Sequence, residues 1–199
     1  MFKKPILTHQ PEPDHLISRM NQRGFKKGTQ IEIPNGYELV CIETDGTTEV
    51  VKNTLLFKVN QPLELIYFVK SNRRIIRSNW GTPNRLKVMT QDGAKTIGGF
   101  GHVEFQLINP VRFITTRMHD DMSINEQVLT KLVLGNVTSM LREVLPAFEP
   151  IDMTQEAKVV NELNQVITGK FEKMLDDIGV SCKTLVIENV NFQSVEEGE

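Results

Sequence analysis

The sequence predicts an α+β fold built on an antiparallel sheet. Three observations carry this. Short β-forming segments separated by tight-turn signals run from Ile31 to Ile108. Long amphipathic segments follow between Ser123 and Ile178, and after Gly179 the chain returns to a β-forming run, Val180 to Phe192. Strands first and helices later, rather than strict alternation, mark an α+β arrangement and not a parallel α/β sheet.

Each element has its local reason. Pro34-Asn35-Gly36 makes a turn before the β-rich run Tyr37 to Thr44, and Asp45-Gly46 is a hairpin signal. "TLLFKV" and "LELIYFV" are strands separated by Asn60-Gln61-Pro62. "RRIIRSNW" fits another strand, stopped by Gly81-Thr82-Pro83. "RLKVMT" and "KTIGGFGHVEFQLI" flank the turn Gln91-Asp92-Gly93-Ala94. Val103, Phe105 and Leu107 alternate with His102, Glu104 and Gln106, so one face of that strand is buried and the other wet. Asn109-Pro110 closes the strand region.

A first helix is expected from Ser123, with Glu126 completing a capping box. Its apolar stripe is Ile124, Val128, Leu132, Val137, Met140/Leu141 and Val144, and Pro146 ends it. A second helix is expected from about Thr154 to Ile178, with Gly179 as its left-handed stop. Its stripe holds Val160, Leu163, Ile167, Phe171 and Met174, then Ile178. The favoured reading is that both stripes cover the sheet. The second stripe is also the candidate self-association face.

The chain has 199 residues, of which 39% are hydrophobic and 24% charged, enough to bury a core without disulfides or metals. A net charge of −2 gives no global pull toward nucleic acid or acidic membranes. Its two cysteines, Cys41 and Cys182, are far apart and read as free thiols in a reducing compartment. Met1 to Gln10 make neither a signal peptide nor an anchor, and no run approaches the roughly 18 apolar residues that span a bilayer. The expected location is cytoplasmic, with peripheral contact at the inner face of the membrane left open.

Residues 1–30 read as a basic arm. "QPEPDH" cannot hold regular structure. His15 to Arg23 fits a short helix with Leu16, Ile17 and Met20 on one face. Lys3, Lys4, Arg19, Arg23, Lys26 and Lys27 face Glu12 and Asp14. The arm is expected to pack on its own domain, with anionic lipid as the alternative. Residues 31–192 form the main domain and 193–199 an acidic tail.

The candidate sites are weighed in the same way. Gly98-Gly99-Phe100-Gly101 lies inside a strand, not between a strand and a helix, so a phosphate cradle gives way to a bulge or close backbone approach. His102 and Glu104 share a face but lack the partner motif of a zinc deaminase. His119-Asp120-Asp121 suits an acidic helix entrance better than a metal site. Neither cysteine has a nucleophile's signature. The basic strip Lys70, Arg73, Arg74, Arg77, Arg85, Lys87 and Lys95, with Trp80 among them, is opposed only by Asp92. A solvated strand face is its plainest reading. Anionic lipid or an acidic protein is the next, and nucleic acid the least favoured. No catalytic residue, metal, cofactor or small-molecule substrate is expected.

The order of these motifs resembles one family. "IPNGYELVCIETDG" is similar to the entrance of an SPFH (band 7; stomatin-prohibitin-flotillin-like) domain. Trp80 to Pro83, then Gly101 to Ile108, Asn109-Pro110 and Phe113, resemble a soluble bacterial branch often labelled virion-core-like, in which a helix begins near the position of Phe113. Gly179 through Val190 resemble the family's closing strand. The likeness covers Ile31 to Phe192 and rests on order and spacing. It implies a curved antiparallel β-sheet with helices packed against it. It also implies a non-enzymatic scaffold or adaptor that self-associates or recruits protein partners, with no catalytic residues to carry over. The departures from the family pattern are an absent N-terminal hydrophobic anchor and an absent coiled coil after the domain. They put stable membrane attachment and large cages in doubt.

Overall fold

The computed structural model describes residues 6–82, 85–90, 93–118, 121–144 and 156–194. Its elements in chain order are β1 (Ile6–Leu7), β2 (His15–Arg19), β3 (Gln30–Glu32), β4 (Tyr37–Glu43), β5 (Thr48–Val51), β6 (Leu56–Lys58) and β7 (Leu63–Lys70). Then come β8 (Ile76–Gly81), β9 (Leu86–Thr90), β10 (Gly93–Leu107), α1 (Pro110–Arg117), β11 (Ser123–Asn125), α2 (Glu126–Val144), α3 (Glu156–Asp176) and β12 (Val180–Ser194). This is the expected α+β fold, with antiparallel sheets and a short parallel pairing of β1 with β3. The chain divides into two compact units, Met1–Arg74 with Leu107–Leu129, and Ile75–Gln106 with Thr130–Glu199.

In the first unit a five-stranded sheet runs β11-β2-β7-β4-β5, and a three-stranded sheet runs β1-β3-β6. The turn signals act as expected. Tyr37 N–H donates to Pro34 O at 3.2 Å, with Gly36 at φ 84°. Gly46 sits at φ 86°, and Thr47 N–H donates to Asp45 Oδ1 at 2.9 Å, closing the β4–β5 hairpin. Leu39, Cys41, Ile66 and Phe68 of the larger sheet join Ile31, Ile33, Phe57 and Val59 in one buried cluster. Ile17, Val40, Tyr67 and Val69 point the opposite way by the strand register and are buried too.

Two local expectations are corrected here. The helix expected over His15–Arg23 is instead β2, which pairs with β7 on one side and β11 on the other. Leu16, Ile17, Ser18, Arg19 and Met20 are all buried. Both partner strands are remote in sequence, and their pairing overrides a weak helical pattern. The capping box also fails. Ser123 lies in β11, and Asn125 Oδ1 accepts from Val128 N–H at 2.9 Å, so Asn125 caps α2. Glu126 is turned to Arg74 instead. The buried stripe accordingly begins at Leu129 and Val133, while Val128 is exposed. Helix α1 forms near Phe113, where the family resemblance places one. Asn109 caps it, its Oδ1 3.0 Å from Arg112 N, and Pro110 starts it at a position where the N–H that proline lacks would have no partner within the helix.

In the second unit the sheet order is β12-β10-β8, with β9 pairing the first part of β10. Strand β10 leaves β9 after Ile97 and takes up β8 from Phe100. The glycine cluster occupies this handover. A Cβ on Gly101 would overlap the Val186 carbonyl oxygen, and one on Gly99 would lie 3.1 Å from Asn189 O. The glycines therefore permit the β12 backbone to approach β10 closely, as a close-approach reading requires. Helix α3 packs along β12, with Gly179 at φ 79° in the expected stop. The turn at Gln91-Asp92, Pro83, Pro146, Thr154 and the end of the acidic tail from Val195 lie outside the described residues.

Candidate functional site

The basic strip is divided between the units. Lys70, Arg73 and Arg74 belong to the first, and Arg77, Trp80, Arg85 and Lys87 to the second. In the first unit these cations are spent on their own fold. Arg73 Nη1 donates to Glu38 Oε1 at 2.5 Å and to Lys70 O at 2.7 Å, and its Nε to Leu107 O at 3.1 Å. Glu38 is buried in β4, so Arg73 is the counter-charge that makes its burial tolerable. Lys70 Nζ donates to Pro13 O at 2.6 Å. Arg74 makes a bidentate pair with Glu126, at 3.0 and 2.7 Å.

Lys70 and Arg74 line a cleft of about 620 Å³ with Asp14, Tyr37, Asn125 and Glu126. Burial, then the Asp14 charge, pushes the Tyr37 hydroxyl up from its ordinary value and keeps it protonated. The lining carries both signs, each engaged within the chain. This cleft is a tied-down corner rather than an open anion site.

In the second unit the register decides which side chains show. Arg77 stands opposite Glu104, Asn79 opposite His102, and Gly81 opposite Phe100, all on the wet face. Arg77 reaches within 3.6 Å of Glu104 and remains exposed. Arg85 donates to Asn191 Oδ1 at 3.3 Å, and Lys87 is exposed on β9. Trp80 points the other way. It is buried at 5% exposure, and its indole N–H donates to Val186 O at 3.2 Å. Trp80 therefore belongs to the core, not to the surface strip. The aromatic that shows is Phe100, at 52% exposure. It shares a shallow cleft of about 780 Å³ with Arg85, Thr82 and the bare backbone of Gly81, Gly98 and Gly99.

Of the candidate self-association residues, Leu163, Ile167 and Phe171 are fully buried, and Val160 and Met174 half-buried. The stripe is occupied by α3's packing along β12 within its own unit. Asn164 strengthens that contact, its amide donating to Ile187 O at 3.0 Å and accepting from Ile187 N–H at 2.8 Å. The centre of the stripe thus offers no free surface.

Catalytic groupings fare little better. His102 Nδ1 pairs with Glu188 Oε1 at 2.8 Å, and Glu104 lies beside it on the strand. Burial, reinforced by nearby carboxylates, pushes the Cys41 thiol up to about 12 and Cys182 up to about 11, far from nucleophile values. Among the described residues no group of His, Cys, Asp or Glu is arranged to hold a metal ion. His119 and Asp120 lie outside those residues.

The sequence matches the SPFH domain-Band 7 family over residues 56–197, from the start of β6 into the tail. The chain belongs to this family. No curated protein matches it. The SPFH domain is in general a membrane-associated, scaffold-type module. No helix among the described residues of this SPFH chain is long and apolar enough to cross a membrane. The exposed aromatic is Phe100 rather than Trp80, and the sequence carries a signal for it. The alternation that puts His102 and Glu104 on the wet face puts Phe100 there as well.

Proposed function

We propose that this SPFH chain is a non-enzymatic scaffold or adaptor. It self-associates or recruits protein partners at the cytoplasmic surface of a membrane. The observation that carries the reading is the family match, which runs through β7, β10, both long helices and β12. The side-chain chemistry supports it. Of the basic strip, Arg73 and Arg74 are engaged within the fold, and both thiols are held protonated.

The surface for protein contact is the wet face of β8, β9 and β10, where Arg85 lies beside Phe100, while Arg77, paired with Glu104, and Lys87 lie farther along the ladder. A face of this kind suits an acidic partner, with Phe100 in place of Trp80 as the aromatic contact. Fractionation tests the membrane part. The protein is expected in the membrane pellet of expressing cells and is released by a high-salt wash. Recovery in the supernatant at every salt concentration contradicts it.

A further inference from the structure

A second surface, on the first unit, was assigned no role by the sequence pattern. The turn from β5 into β6 reads Lys52-Asn53-Thr54-Leu55-Leu56-Phe57-Lys58. Phe57 enters the core, but Leu55 is 66% exposed and Leu56 46% exposed. This is a built feature. Asn53 holds φ 56°, Thr54 Oγ1 donates to Leu56 O at 3.0 Å, Leu56 N–H returns to Thr54 Oγ1 at 3.3 Å, and Ile33 N–H donates to Leu55 O at 2.9 Å.

The strand register extends the surface. Ile6, Gln30 and Lys58 form one outward row of the three-stranded sheet, and Glu32 with Leu56 the next. Ile6 is itself 50% exposed. Lys26 and Lys27 are exposed in the turn just before β3. Their turn is joined to the end of β6, where Gly28 N–H donates to Val59 O at 2.7 Å and Val59 N–H to Thr29 O at 2.9 Å. Large apolar side chains therefore stand exposed on a pinned turn, with Lys58 and Glu32 on the same sheet face and Lys26 and Lys27 in the adjoining turn.

We propose that this tip docks the protein on an anionic lipid surface. Leu55, Leu56 and Ile6 enter the boundary between headgroups and acyl chains, while the lysines meet the headgroup phosphates. Exposed apolar side chains beside lysines suit the membrane boundary, where lysine stems lie along the apolar layer while their ammonium groups stay wet. The charge of the flank selects acidic lipid. The inference rests on the membrane-associated reading above and names the surface that carries it.

Vesicle co-sedimentation of the full chain tests it. The wild type is expected to bind vesicles of equal phosphatidylcholine and phosphatidylserine more tightly than pure phosphatidylcholine, and less tightly as salt rises. Leu55→Ser/Leu56→Ser is expected to weaken binding about tenfold or more, and Lys26→Glu/Lys58→Glu to abolish the preference for acidic lipid. These positions are exposed, so an unchanged urea midpoint shows that the variants fold. Leu55→Trp gives a separate readout, a blue shift of its fluorescence on adding acidic vesicles. Wild-type binding that Leu55→Ser/Leu56→Ser leaves intact overturns this surface while the membrane reading stands. No binding by the wild type overturns both. A lower solution mass for Leu55→Ser/Leu56→Ser without lipid makes the tip a contact between copies, and also overturns the proposal.

Discussion

The Trp80 indole N–H donates to the carbonyl of Val186 at 3.2 Å, where β12 comes closest to the glycines of β10. The Trp80 ring also lies 3.0 Å from where a Gly101 Cβ would be. One bond and one missing side chain mark this close approach. Trp80→Phe removes the donor to the part-buried Val186 carbonyl and thins the packing over Gly101, with an expected loss of about 1–3 kcal/mol. Gly101→Ala forces the two backbones apart and is expected to cost about 3 kcal/mol or more. Urea denaturation of both variants checks the order. A Gly101→Ala protein as stable as the wild type would show that the approach is looser than described.

Adjacent arginines are expected to behave differently. Arg73→Ala strands the buried Glu38 carboxylate, whose remaining cation, Lys52, is 3.6 Å away. The expected loss is about 3 kcal/mol. Arg74→Ala removes a solvent-screened pair and is expected to move the urea midpoint far less. Equal midpoints for the two variants would contradict the assignment.

Much of this was legible in the sequence, because most of the signals are local. Asp45-Gly46, Gly36 and Gly179 each require a positive φ, and each has one. The alternation in β10 needs no partner to be read. What the sequence hides depends on distant segments. β2 is a strand because β7 and β11 flank it. The strip looked like an unopposed positive surface because Glu38 and Glu126, the partners of Arg73 and Arg74, come from elsewhere in the chain. Helix α1 is only one short segment, "PVRFITTR", with too few turns to show a stripe. The family likeness supplied it where periodicity did not.

Stability has a component set by His9. Its Nε2 lies 2.8 Å from Ser18 Oγ and its ring 4.9 Å from Phe68. Burial, and then the nearby His15, lower its pKa below the ordinary histidine value of 6.5. The unfolded chain therefore binds more protons between that value and the folded pKa. Stability is full above pH 6.5, falls as pH drops through this window, and levels off below the folded pKa. Urea midpoints across this range are expected to fall with pH in the wild type and less steeply in His9→Gln. Identical slopes would remove His9 from the account.

Thiol chemistry gives a simple check on the core. With Cys41 near 12 and Cys182 near 11, both are protonated at neutral pH. A disulfide reagent is expected to react slowly with the folded protein and rapidly in urea. Fast reaction of the folded protein would show that one thiol is accessible and activated.

The scaffold reading depends most directly on self-association. Light scattering across a range of protein concentrations, at low and high salt, measures it. The account predicts a defined assembly above the monomer mass of 22.7 kDa. A monomer at every concentration and both salt levels would contradict it.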